Sequence, residues 1–224
     1  MNAPDQRSDR ELLQAHVDGD ADAFGELFAR HRDRLWAVAL RTMGNPEDAA
    51  DGLQDGMIAA FRRAGSFRGE AQVTTWLHRV VVNACLDRIR AAKIRRLDAL
   101  PDDVEDRGTL VATAQHDDLP DAAAETTERR RRVLDALGTL PPDQRAALVL
   151  VDMEGYPVAE VAEMLGCAEG TVKSRCSRGR TRLAGLLADL LTDADRPVGD
   201  PAHGNPPPDG PVQPTGRPRG PPAP

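Results

Sequence analysis

Residues Gly155–Arg180, GYPVAEVAEMLGCAEGTVKSRCSRGR, read as a helix-turn-helix whose second helix is cationic. Pro157 has a fixed φ that suits the first position of a helix. From there Val158, Val161, Met164 and Leu165 recur at three- and four-residue spacing and make one apolar face. Ala162 is small enough to let a second helix cross closely. Gly166 supplies the left-handed residue that ends the first helix and forms the turn. Beyond it Val172, Cys176 and Leu183 point inward, while Lys173, Ser174, Arg175, Arg178, Arg180 and Arg182 point out. A unit of this kind lays its second helix in the DNA major groove, where Lys and Arg reach guanine edges and phosphates. The plain alternative is a solvated basic helix in an ordinary bundle. The small residue, the glycine turn and the one-sided cations coincide, and together they favour DNA.

The formal net charge of −7 looks wrong for a DNA binder until its distribution is followed. Residues 97–128 hold ten acids against one arginine, Arg107. Arg88, Arg90, Lys93, Arg95 and Arg96 precede that block, and Arg129 to Arg132 follow it, so the charge is segregated along the chain. Few aromatics, many alanines and no alternating β-branched runs predict an all-α protein. No stretch approaches the roughly 20 apolar residues of a membrane span. The charged N-terminus carries no apolar signal segment. Cys85, Cys167 and Cys176 form no CxxC and have no histidines beside them, so the reading includes no metal, no cofactor and no disulfide framework. A cytoplasmic, reduced protein without direct membrane insertion is the expectation.

Four helices precede the acidic block. Ser8 with Glu11 makes a capping box. Asp20 or Asp22 opens a second helix with the stripe Ala23, Phe24, Leu27, Phe28, Leu35, Val38 and Ala39. Asn45-Pro46-Glu47-Asp48 caps a third, running to about Ala64. A loop from Gly65 to Val73 leads to a fourth, capped by Thr74 or Thr75, with the face Leu77, Val80, Val81, Ala84 and Ile89. After the block come helices over about Glu128–Leu137 and from Pro141-Pro142 through Met153, then the helix-turn-helix. The expected layout is two small helical bundles, 8–96 and 128–191, joined by an acidic flexible linker at 97–127. A disordered Pro/Gly-rich tail follows at 192–224.

Two motifs then combine. Asp51-Gly-Leu-Gln54-Asp55-Gly-Met57 with Thr75-Trp-Leu-His-Arg-Val-Val-Val-Asn83 resembles region 2 of bacterial sigma factors. Leu140-Pro-Pro-Asp-Gln-Arg145 with Gly170-Thr-Val-Lys-Ser-Arg175 resembles region 4. Residues 10–187 together resemble an extracytoplasmic-function (ECF) sigma factor of the sigma-70 family, and Arg145–Ala184 resembles its actinobacterial SigM-type subgroup.

The resemblance implies a non-enzymatic subunit that binds core RNA polymerase and promoter DNA, takes no small-molecule substrate, and is held by an anti-sigma factor in a stress response. It implies a polymerase-binding surface at Asp51, Gln54, Asp55 and Arg62. The −10 element would be melted and read by Ser66, Phe67, Arg68, Trp76, Arg79, Asn83 and Arg88, the loop receiving a flipped base and Trp76 stacking. Lys173, Ser174, Arg175, Arg178 and Arg180 would contact the −35 element. Gly179, inside a helix at a cost of about 1 kcal/mol, is expected to leave the last turns to order on DNA. A stand-alone helix-turn-helix regulator explains only the second half of the chain. An enzyme finds no GxxxxGK loop, no metal-spaced carboxylates and no Cys–His pair.

Overall fold

The computed structural model describes residues 7–98 and 121–188, and every regular element among them is helical. The α-helices are α1 (Asp9–Val17), α2 (Ala23–Met43), α3 (Pro46–Arg63), α4 (Val73–Asp98), α5 (Asp121–Gly138), α6 (Pro142–Leu148), α7 (Val158–Leu165) and α8 (Glu169–Leu186). A 3-10 turn, Ala64–Ser66, follows α3, and α6 runs on into a π turn over Val149–Met153.

The starts of the helices follow from local chemistry. Ser8 Oγ accepts the Glu11 amide at 3.3 Å while the Glu11 carboxylate accepts the Ser8 amide at 2.6 Å, a complete capping box. Asn45 accepts from the Asp48 amide at 2.8 Å, with Pro46 opening α3. Ahead of α2, the Asp20 carboxylate takes the amides of both Asp22 and Ala23. Gly44 and Gly166 end α2 and α7 in the left-handed conformation, at φ of 86° and 61°.

Helices α1–α4 surround a core of Leu12, Leu13, Leu27, Leu35, Leu77 and Val81, all at most 2% exposed. The crossing of α3 on α4 depends on two glycines four residues apart. A Cβ at Gly56 would sit 2.9 Å from the Val81 Cα, and one at Gly52 would sit 2.8 Å from the Cys85 Sγ. Backbones this close leave no room for a side chain.

Three expectations change. The helix placed from about Glu128 begins at Asp121, so residues 121–127 of the expected linker are helical. Ala122, Ala123 and Ala124 are strong helix formers, and acids in a first turn complement the helix dipole; the acidic composition had outweighed both. The remainder of that linker, 99–120, and the tail at 192–224 lie outside the described residues, as do 189–191 at the end of the expected second bundle.

Second, α8 runs unbroken to Leu186 with Gly179 buried inside it. A Cβ there would lie 2.5 Å from Leu148 Cδ1, so the glycine is the point of closest approach between α6 and α8.

Third, the bundles are not separate bodies. Val38 of α2 and Val82 and Leu86 of α4 belong to the second apolar cluster, with Leu137, Leu140, Leu148, Val149, Leu150 and Val161. Helix α4 is therefore apolar on two sides: Leu77, Val81 and Cys85 face its own bundle, Val82 and Leu86 the other.

Candidate nucleic-acid interface

A cleft of about 530 Å³ opens where the 66–71 loop meets α4. Ser66, Phe67, Arg68, Trp76, Arg79 and Asn83 all line it, which brings together six of the seven residues expected at the −10 element. The loop is fixed at its base: Ser66 Oγ donates to the Arg63 carbonyl at 2.7 Å, and Arg10 of α1 donates to the Gly69 carbonyl at 2.7 Å. Phe67 and Trp76 have ring centroids 5.7 Å apart at 59°, half-buried, with their remaining faces toward the cleft. Two aromatics beside arginines on a rigid helix can hold an unstacked base and its phosphate.

Arg88 is not part of this cleft. Its guanidinium turns to the other side of α4 and pairs with Asp51 and, at 3.3 Å, with Asp55. Those aspartates stand four residues apart on one face of α3, so a residue expected to track DNA joins two expected to face the polymerase. One helical turn and a half separates Asn83 from Arg88, and that rotation carries Arg88 off the cleft face.

Gln54 lies on a different face of α3. With Phe28, Arg32, Asp33, Trp36, Ala50, Leu53, Met57 and Ile58 it lines a groove of about 550 Å³ between α2 and α3. Ile58 is 42% exposed there, an apolar side chain left open to solvent among the described residues. Arg62 is exposed near the end of α3, outside that groove. The expected polymerase surface is thus divided between the Asp51–Asp55–Arg88 cluster and the Gln54 groove. Phe28, Trp36 and Ile58 were passed over in the sequence because apolar helix residues read as core.

On the second bundle, Val172 and Cys176 are buried as expected, and burial pushes the Cys176 thiol's pKa up. Lys173, Ser174 and Arg178 are exposed. Ser174 Oγ donates to the Thr171 carbonyl and lies 3.3 Å from Arg178, and Lys173 is 3.6 Å from Glu169, so these groups stay at the surface. Arg175 is half-buried, pairing with Asp143 at 3.1 Å. Arg180 makes a two-pronged contact with Asp152 at 2.9 and 2.7 Å, tying α8 to the π turn.

The cleft has a third wall that sequence reading missed. Glu160, Glu163 and Met164 of α7 close it from the second bundle. Asn83 Nδ2 donates to the Met164 carbonyl at 3.0 Å, so the amide expected to read a base is engaged within the chain. Nearby, the Tyr156 hydroxyl is 2.8 Å from His78 Nδ1. His78 is fully buried, and burial lowers its pKa to about 4, so it is neutral near pH 7. Glu154, with a side chain only 6% exposed, pairs at 3.0 Å with both Arg34 and Arg41 of α2.

With a helical bundle carrying an aromatic cleft and a second carrying a cationic helix, comparison with known proteins decides the family. The description "Sigma-70 region 2" matches residues 27–94, and "Sigma-70, region 4" matches residues 130–183. The chain belongs to the ECF RNA polymerase sigma factors. It is 52% identical over 189 residues to the ECF RNA polymerase sigma factor SigM of Mycobacterium tuberculosis, covering 84% of this chain and 88% of that one. It is 32% identical to the ECF RNA polymerase sigma-E factor of Haemophilus influenzae, covering 84% of this chain and 99% of that one. Among solved structures, RpoE in complex with the anti-sigma factor NepR from Bartonella quintana superposes with a TM-score of 0.57 at 27% identity, covering 75% and 98% of the two chains. CnrH in complex with the cytosolic domain of CnrY superposes at 0.53 with 26% identity, covering 84% and 99%. As a sigma factor the protein directs transcription by core RNA polymerase on promoter DNA and performs no chemistry of its own. No helix among the described residues is long and apolar enough to cross a membrane.

Proposed function

We propose that this sigma factor reads two promoter elements with two faces, the −10 element in the cleft of the first bundle and the −35 element along α8. Region 2 is assigned to 8–96, the linker to 97–120, region 4 to 121–191, beginning with α5, and a tail to 192–224. The observation that carries the reading is the convergence of Ser66, Phe67, Arg68, Trp76, Arg79 and Asn83 on one cleft. In the cleft an unstacked non-template base stacks on Trp76 and Phe67, Asn83 supplies its amide, and Arg68 and Arg79 hold phosphates. Capture of the unstacked base, which costs a few kcal/mol to extrude, stabilises the melted state. Lys173, Ser174 and Arg178 contact the −35 major groove. Arg175 joins them once released from Asp143, and Arg180 holds α8 in place through Asp152.

The polymerase is gripped by the groove around Gln54 with Asp51, Asp55 and Arg62 on its margins, and Arg88 moves from the −10 set to the ionic cluster beside them. The solved relative RpoE was captured with an anti-sigma factor. The exposed Ile58 groove gives such a partner an apolar foothold here too, which supports the reading of a cytoplasmic protein held by an anti-sigma factor and released in a stress response.

The test separates the two faces. In holoenzyme, Arg178→Ala should weaken promoters in a manner that depends on the −35 sequence, by about 1–3 kcal/mol. Asn83→Ala should leave closed-complex binding nearly intact and reduce permanganate-reactive, melted template. Loss of closed binding by Asn83→Ala, with melting normal in what remains bound, overturns the assignment.

A further inference from the structure

We infer that Arg10 of α1 is a positioning residue for promoter reading: by holding the Gly69 carbonyl it fixes the loop that discriminates the captured −10 base. The inference rests on the −10 reading proposed above and deepens it by naming what gives that loop its shape. Arg10 lies outside residues 27–94, the span matched as region 2, and it does not line the cleft itself.

The loop between α3 and α4 is pinned at two points. At one end Ser66 Oγ donates to the Arg63 carbonyl at 2.7 Å. At the other, Arg10 Nη2 donates to the Gly69 carbonyl at 2.7 Å, across 59 residues of sequence. Phe67 and Arg68 lie between the pins, and Phe67 meets Trp76 from there. Gly69 takes a left-handed φ of 73°, and the guanidinium occupies the place of the missing side chain: a Cβ would lie 2.7 Å from Nη2 and 3.0 Å from Cζ. The acids beside Arg10 in sequence are engaged elsewhere. Asp9 is 2.6 Å from His31 and 3.4 Å from Arg30, and Glu11 closes the capping box on Ser8, so the Arg10 guanidinium is left to the loop. Helix α1 is a firm base for that contact. Leu12 and Leu13 are buried in the first core, and His16 Nε2 lies 3.2 Å from the Phe61 carbonyl near the end of α3.

The two kinds of contact available in the cleft respond differently to a loosened loop. Hydrogen bonds to a base edge hold only over a few tenths of an ångström and a narrow range of angles. Attraction between an arginine and a phosphate falls off gently, as the inverse of distance. A loop freed at Gly69 therefore loses base discrimination before it loses its grip on the strand. Release of one such hydrogen bond should lower discrimination at the captured base by roughly 2- to 10-fold.

The test uses holoenzyme assembled from core polymerase and the full chain. The probes are short fluorescein-labelled single strands carrying the non-template −10 sequence that this holoenzyme selects from random DNA. Each position is filled in turn by the four bases and by an abasic site, and anisotropy reports binding. Phe67→Ala locates the captured base as the position whose discrimination it lowers most. Arg10→Ala should lower discrimination at that same position by roughly 2- to 10-fold, and leave the other positions and the affinity for the probe abasic there as in the parent. Arg10→Met keeps the stem without the donors and should match Arg10→Ala, whereas Arg10→Lys, which can still donate to the carbonyl, should recover part of the loss. Unchanged discrimination in Arg10→Ala at a position that Phe67→Ala affects overturns the Arg10 assignment and leaves the −10 cleft standing. Equal losses at every position, or a loss on the abasic probe as large as on the matched one, mark a general defect of the fold and overturn it as well. If Phe67→Ala alters no position, the −10 reading itself fails and the inference falls with it.

Discussion

Gly179 and Gly185 lie on the same helix, α8, yet replacing each by alanine should move stability in opposite directions. Either substitution raises intrinsic helix propensity by up to about 1 kcal/mol. At Gly185 nothing lies within 4 Å of the added Cβ, so that gain stands alone. At Gly179 the Cβ would lie 2.5 Å from Leu148 Cδ1 and 3.1 Å from Leu148 Cγ. Leu148 is 2% exposed in a packed core, so it cannot swing aside freely. Overpacking of this kind costs about 1–3 kcal/mol. The propensity terms nearly cancel between the two variants, so their difference in unfolding free energy isolates the helix crossing at about 1–3 kcal/mol in favour of Gly185→Ala. Urea denaturation followed by far-UV circular dichroism measures it directly. Because α8 rides on α6 at this point, Gly179→Ala should also reduce −35-dependent promoter binding, whereas Gly185→Ala should not. Equal stability of the two variants would refute the claim that Gly179 is a packing contact.

The buried histidine sets a pH dependence. His78 has a pKa of about 4 in the fold against 6.5 for an unperturbed group, so between these values the unfolded chain binds the proton and the folded chain does not. Stability is therefore complete above about 6.5 and falls as pH drops toward 4, with roughly 2 kcal/mol lost by pH 5. His78→Gln should abolish that part of the slope in urea titrations at pH 7 and 5, and an unchanged slope would show that other groups carry it. On the polymerase side, Ile58→Asp places a charge in the α2–α3 groove and should weaken core association at least tenfold in a pull-down titration while leaving the melting temperature within a few degrees. Normal affinity would move the polymerase surface elsewhere.

The helices were legible because their signals are local. Ser8 with Glu11, Asn45 with Pro46, and Gly166 each act within a few residues, and each does in the structure what its spacing implies. The six cleft residues were legible because a loop and the first turns of the following helix are close in sequence as well as in space. Arg88 lies apart from those six because a single helix carries residues to opposite sides, and an arginine's partner across a helix pair is not written in its own segment. The start of α5 was missed where composition and helix propensity pointed apart. The seam was invisible for a deeper reason. Val82 and Leu86 lie outside the face Leu77, Val80, Val81, Ala84 and Ile89 expected for α4, and nothing in their spacing says that they contact the second bundle. Glu154 and Tyr156 carry no signal in their own segment, because their partners lie 78 to 120 residues away.

The most direct test follows the distance between the two reading faces. Donor and acceptor dyes placed through non-natural residues at Ala71 in the cleft loop and Ser177 on α8 avoid the native cysteines, and single-molecule energy transfer then reports the separation. The free chain should give one population of high transfer, and the promoter-bound holoenzyme should shift it wholly to low transfer, because two elements set apart along one duplex draw the two faces apart. High transfer retained on the promoter, or low transfer already in the free chain, would contradict two faces held together until the polymerase parts them.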